Sequence, residues 1–168
     1  MGLPDAREYD VVDGGPISAT IANGLQDGVV AARRGQRTWH YHPSGYTLDG
    51  NATYISSGGY IQSSTATTVT IPLQGLPAGA NIDEAKFWLD ENSQAAAISC
   101  RLIQANTAFT NSNIDSGTSA GDGSANQVTI TPDHLHENDS ALALTVEIPN
   151  ASQRVGVVRV KWTPTLQT

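Results

Sequence analysis

Ala141-Leu142-Ala143-Leu144-Thr145-Val146-Glu147-Ile148 decides the fold class of this chain. Leu142, Leu144, Val146 and Ile148 share one parity, and Ala143, Thr145 and Glu147 the other. Successive side chains of a strand point to opposite faces, so the stretch has one oily side and one wet side. A helix would spread the four large residues over opposite sides of its circumference.

The same rhythm recurs in both directions. Within 67–73, Val69, Ile71 and Leu73 oppose Thr68, Thr70 and Pro72. Within 154–163, Val158, Val160 and Trp162 oppose Arg159 and Lys161. Strands are expected at 38–42, 52–55, 60–62, 67–73, 82–90, 96–105, 127–131, 141–148 and 154–163. Turn-forming runs separate them: Ser56-Ser57-Gly58-Gly59, Leu76-Pro77-Ala78-Gly79 and Asp90-Glu91-Asn92-Ser93. This pattern predicts a mainly β chain folded as an antiparallel β-sandwich of jelly-roll type. The polar run 106–126 breaks the rhythm and is expected to be a surface loop or a loose hairpin.

Ahead of residue 38 the period changes. Residues 1 to 16, with Pro4 and Pro16, read as an extended arm that Tyr9, Val11 and Val12 would pin to a partner or to the body. A helix is expected over 18–34: Ser18 caps it, and Ile17, Ile21, Leu25 and Val29 recur every four residues. Arg33 and Arg34 suit its last turn, and Gly35 suits the left-handed position beyond it. Gly24 and Gly28 each cost about 1 kcal/mol relative to alanine, so the helix needs a partner surface. The chain thus divides into 1–37, an arm and one α-helix for attachment and oligomerisation, and 38–168, the β-sandwich domain. Tyr9, Val11, Ile17, Ile21, Leu25 and Val29 are the candidate interface residues.

A net charge of −7, with 2 Lys and 7 Arg, argues against nucleic acid, which needs a cationic face, and against docking on an anionic membrane. No apolar stretch is long enough to span a bilayer, and Met1-Gly2-Leu3-Pro4-Asp5 lacks the pattern of a signal peptide. Cys100, inside an expected strand, reads as a small buried hydrophobe. His40-x-His42 and His134-x-His136 could each aim two imidazoles one way, but zinc wants three or four converging ligands, so no metal and no cofactor are expected. Asp83-Glu84 and Asp90-Glu91 would serve a glycosidase only if carboxyls faced each other across a cleft; a solvated rim is the plainer reading. The glycine-rich run 116–123 lacks the lysine and helix of a phosphate loop. No catalytic residue emerges, and an enzyme is not expected. Trp39, Tyr41, Tyr46, Tyr54 and Tyr60 crowd residues 39–60; they suit a sugar-stacking platform, a protein interface, or equally the packing of the sandwich core and edge, and Tyr46, Tyr54 and Tyr60 are the candidate glycan-binding residues. Trp88 and Trp162 are assigned to the core.

Two stretches resemble known proteins. Asp13-Gly14-Gly15-Pro16-Ile17-Ser18-Ala19-Thr20-Ile21-Ala22-Asn23-Gly24-Leu25-Gln26-Asp27 resembles N-terminal segments of phage tail-fibre and tail-associated proteins, with Gly15-Pro16 interrupting the usual spacing. Residues 60–102 are similar to β-sandwich modules of phage and bacterial surface proteins. The similarity rests on Val69-Thr70-Ile71-Pro72-Leu73, Leu76-Pro77-Ala78-Gly79-Ala80-Asn81-Ile82, Lys86-Phe87-Trp88-Leu89 and Ile98-Ser99-Cys100-Arg101-Leu102. The resemblance implies a non-enzymatic bacteriophage structural protein, a capsid decoration or tail-fibre component located in the virion. It would bind other virion proteins through residues 1–37 and form a homo-oligomer, with a homotrimer favoured. The alternative expectation is a carbohydrate-binding β-sandwich module that recognises a host-surface glycan.

Overall fold

The computed structural model describes residues 35–105, 111–137 and 140–164. In chain order the strands are β1 (Arg37–Tyr41), β2 (Ala52–Ile55), β3 (Tyr60–Ser63), β4 (Thr67–Pro72), β5 (Ala80–Asp90) and β6 (Ser99–Ala105). They are followed by β7 (Asn111–Thr118), β8 (Ala125–Ile130), β9 (His134–Leu135), β10 (Ala141–Ile148) and β11 (Arg154–Pro164). A single 3-10 turn, Pro43–Gly45, stands between β1 and β2, and the described residues contain no α-helix. The helix expected over 18–34, with Ile17, Ile21, Leu25 and Val29, lies outside the described residues, as does the arm carrying Tyr9 and Val11.

The strands form two antiparallel sheets, one in the order β2-β3-β11-β5-β8, the other β4-β10-β6-β7. In the larger sheet β1 and β3 lie end to end along one edge of β11, opposite residues 158–162 and 154–155 respectively. β8 and β9 share the far edge of β5 in the same way. The alternation in β10 is realised as expected. Leu144 pairs with Ile71 and Leu102, Val146 pairs with Val69 and Cys100, and all six are buried. Across from them the larger sheet contributes Ile61, Ile82, Phe87, Leu89, Val155, Val158, Val160 and Trp162. Cys100 has no solvent exposure, and burial pushes its thiol up to about 12, so it behaves as a small hydrophobe.

Two expectations need correction. The first is the surface-loop reading of 106–126: Asn111–Thr118 forms β7, paired antiparallel along its length with β6, which is closer to the hairpin alternative, and β8 begins at Ala125. β7 is an edge strand of Asn, Ser, Asp and Gly in which only Ile114 packs on the core, so its stability comes from the ladder and it carries no oily parity to read. The second is the solvated rim at Asp90-Glu91. Glu91 is fully buried; its Oε1 accepts the Gly121 amide at 2.7 Å and its Oε2 the Gly123 amide at 2.6 Å. Burial raises this carboxyl, but bonds from the Ser119 hydroxyl and the two amides outweigh it and hold it below the ordinary range. Gly121 and Gly123 take φ values of 73° and 83°, a left-handed geometry that lets both amides turn toward one carboxylate. The glycine-rich run is thus the end of β7 and a loop moulded around a buried acid.

Candidate functional site

The outward face of the larger sheet collects the groups best suited to bind a polar ligand. In β5, Ala85, Phe87 and Leu89 point inward, which sends Glu84, Lys86, Trp88 and Asp90 outward. In β11 the inward set is Val155, Val158, Val160 and Trp162, leaving Arg154, Arg159 and Lys161 outside. The two strands are not in simple register. Val155 pairs with Leu89 but Val158 pairs with Phe87, so Gly156 and Val157 together oppose Trp88 in a β-bulge. A Cβ on Gly156 would lie 3.3 Å from the Trp88 carbonyl oxygen, so a side chain there would crowd the bulge.

On its other edge β11 pairs with β3 through Arg154–Gln62 and Val155–Ile61, so Tyr60, the next residue of β3, stands where the ladder ends beside the bulge. Trp88 in turn pairs with Gln127 of β8. Continuing the β3 register by one residue sets Tyr60 in line with Gly156 at the bulge, with Trp88 and with its partner Gln127, a row across four strands with a bare glycine between two aromatic residues. At ordinary strand spacing the two aromatic positions stand about 10 Å apart.

Cations and carboxylates flank this row. The Arg154 guanidinium lies 4.9 Å from the Tyr60 ring centre and donates to Asp90 at 3.0 Å. Trp88 has the Arg159 guanidinium and the Lys86 ammonium each 5.9 Å from its ring. Arg159 donates to Glu84 at 2.6 Å, Lys161 to the same carboxylate at 3.2 Å, and Lys86 to the Gln127 side chain at 3.3 Å. Partial burial raises the Glu84 carboxyl, but Arg159 and Lys161 outweigh that and hold it below the ordinary range. At neutral pH Glu84 is an anion that fixes two cations in place.

Trp88 is thus not a core residue, which corrects the assignment made from sequence. Its signal was present: if Phe87 and Leu89 face inward, the residue between them must face out. The three candidate tyrosines separate. Tyr60 stands in the row. Tyr54 shares the inward parity of Ile61, packs on the core and meets His42 edge to face at 5.9 Å. Tyr46 is 8 % exposed, so its ring is not presented to solvent. Its hydroxyl shares a proton between the Tyr41 carbonyl at 2.8 Å and the Gly156 carbonyl at 2.9 Å, and burial pushes the phenol up. Tyr46 therefore supports the row from beneath by anchoring the bulge.

The histidine pairs do other work. His40 faces outward beside Arg159, while His42 accepts the Ser44 amide at 3.3 Å and caps the 3-10 turn. Among the described residues no three His, Cys, Asp or Glu side chains converge to hold a metal. His134 sits opposite the buried Ile82; its Nε2 is buried without a hydrogen-bond partner, and so is Nδ1 of His136. Burial lowers the His134 pKa and the neighbouring His136 adds to this, while Glu137 opposes it. Below about pH 6.5 the unfolded chain therefore takes up the proton more readily. Stability present above that pH falls as the pH drops below it toward the depressed folded value. Urea melts at pH 5 and pH 7.5 should differ less for His134→Gln than for wild type; an equal difference would exclude His134 as the origin.

A cleft of about 500 Å³ lies elsewhere, at one end of the smaller sheet, lined by Asp49, Thr67, Thr68, Ser99 and Glu147 among others. It contains no aromatic ring, and its acids are already engaged. Glu147 takes two bonds from Arg101 at 2.9 Å, and Asp49 accepts the Thr67 hydroxyl and the Asn51 amide. Neither Asp83-Glu84 nor Asp90-Glu91 lines it. The aromatic row is the stronger candidate on chemical grounds, although it is a surface and not a pocket.

No family model and no curated protein matches the chain. Among solved structures it is similar to the C-terminal CBM6 of LamC, a marine laminarinase from Zobellia galactanivorans, at 11 % identity over 74 % of this chain and 98 % of that one, TM-score 0.49. It is similar to the C-terminal family 22 carbohydrate-binding module of Clostridium thermocellum Xyn10B, at 13 % identity over 74 % and 92 %, TM-score 0.49. A third is the CBM36-1 domain of a multidomain xylanase from the hindgut metagenome of Trinervitermes trinervoides, at 10 % identity over 78 % and 100 %, TM-score 0.48.

Proposed function

We propose that the β-sandwich is a non-catalytic glycan-binding module whose binding surface is the outward face of the larger sheet. The row Tyr60, Gly156, Trp88 and Gln127 carries this reading. Sugar rings offer apolar C–H faces and a rim of hydroxyls. Aromatic side chains match the first, and planar amide, guanidinium and carboxylate groups match the second. The bare glycine leaves a floor between the two aromatic residues, so one extended oligosaccharide can reach both. A flat face of this kind suits a polymer better than a small molecule, which needs a concavity. Glu84 and Asp90 bond to arginines on the same open face and do not flank a cleft, so the arrangement supports binding without hydrolysis.

The test is affinity electrophoresis of the full chain through gels containing xylan, a β-1,3-glucan, polygalacturonate or a sulfated galactan. Retardation in at least one gel is expected; unchanged mobility in all four would sink the proposal. Carriage on a virion through residues 1–37, which the Asp13-to-Asp27 phrase implies, is a separate proposal, tested by the incorporation into particles of a chain lacking those residues.

A further inference from the structure

We infer that the polymer recognised is an acidic one, bearing carboxylate or sulfate groups, and that Lys86 is the residue that selects for the charge. The inference rests on the glycan-binding reading and deepens it. Acids outnumber bases by 16 to 9 in the chain. The described residues nevertheless contain six lysines and arginines, and four of them, Lys86, Arg154, Arg159 and Lys161, stand on this one face. Opposing them near the row are only Glu84, shared by Arg159 and Lys161, and Asp90, held by Arg154. Asp83, at the far end of β5, is engaged by Gln36, Asn81 and Thr163. Lys86 has no carboxylate within ion-pair distance among the described residues; its contacts are Gln127 and the Trp88 ring.

A solvated surface that served only to keep an acidic protein soluble would have no reason to gather its scarce cations around a tryptophan. Lys86 and Arg159 are register partners, each 5.9 Å from the Trp88 ring, so a pyranose stacked at Trp88 would have both cations within reach of its substituents. A neutral hydroxymethyl group there leaves both charges to water, whereas a carboxylate or sulfate makes charge-assisted hydrogen bonds. Arg159 holds Glu84 through one Nη, and its guanidinium carries five N–H donors in all, so it can serve the protein and a ligand together.

The experiment measures binding of the full chain to polygalacturonate and a sulfated galactan, as the carboxylate and sulfate arms, beside neutral xylan and a β-1,3-glucan. Tighter binding to one acidic polymer is expected. It should weaken about tenfold when salt rises from about 0.05 M to about 0.5 M, because screening shortens the reach of exposed charges. Lys86→Glu should weaken it by about tenfold as well, a loss expected of a charge reversed at a binding surface. Trp88→Ala, with its melting temperature checked, should also lose binding; if it binds the acidic polymer as wild type does, the attraction is diffuse adsorption and the inference falls. Equal binding to neutral polymers, indifferent to salt and to Lys86→Glu, overturns the acidic preference while leaving the glycan reading intact. Binding to none of the four removes the glycan reading itself.

Discussion

Phe87→Ala is expected to lower the unfolding free energy by about 3–5 kcal/mol, the range for truncating a fully buried aromatic side chain. Phe87 has no solvent exposure and lies at the centre of β5, with Val158 beside it on β11 and Val128 on β8. Its ring belongs to the one cluster that both sheets share, so the cavity left behind cannot be filled by a loop folding in. Small domains hold about 5–15 kcal/mol in total, so the variant should sit near the edge of stability. Urea denaturation followed by tryptophan fluorescence measures it. A loss below about 1 kcal/mol would mean that the interior between the sheets is not packed at this point.

One residue along, Trp88→Ala should do the opposite: leave the fold standing and remove the binding. Its side chain is outward, its contacts on that face are two cations, and its backbone stays paired with Gln127 of β8. The unfolding free energy is therefore expected to change by no more than about 1 kcal/mol. Stacking against an aromatic ring is worth about 1–3 kcal/mol where it has been measured by truncation, which corresponds to a loss of about ten- to hundredfold in affinity. Polysaccharide gels that retard the wild type should let this variant run as an unretarded control. If Trp88→Ala instead unfolds as readily as Phe87→Ala, the indole is a structural residue and the row has no anchor.

The contrast between these neighbours shows where sequence reading succeeded and where it failed. The parity of residues 82–90 was legible, and with it the burial of Phe87 and Leu89. Trp88 was nevertheless assigned inward as if it alternated with polar neighbours, although its neighbours are Phe87 and Leu89 and their parity forces it out. Tyr46 stayed open between a sugar platform and core packing: it sits in an aromatic-rich stretch with no alternation around it, and only the folded chain shows it buried with its hydroxyl donating to the Gly156 carbonyl. β7 stayed open between a loop and a loose hairpin because an edge strand of polar residues is stabilised by its ladder with β6, and a ladder leaves no trace in composition. Glu91 looked like any acid after a strand, because its partners, Ser119, Gly121 and Gly123, arrive from about thirty residues away.

By itself the sequence determined that the body is an antiparallel sandwich and which side of each main strand is buried. Those are local properties: side chains two apart share a face, and water sorts them by polarity. It also set the material of the surface, an acidic chain with few cations. What only the tertiary structure decided is which outward residues become neighbours. Tyr60, Trp88 and Gly156 are separated by dozens of residues, and their meeting depends on strand order, on register and on a bulge of one residue in β11. A shift of a single position would turn each strand over and dissolve the row, and no pattern within one strand records that choice.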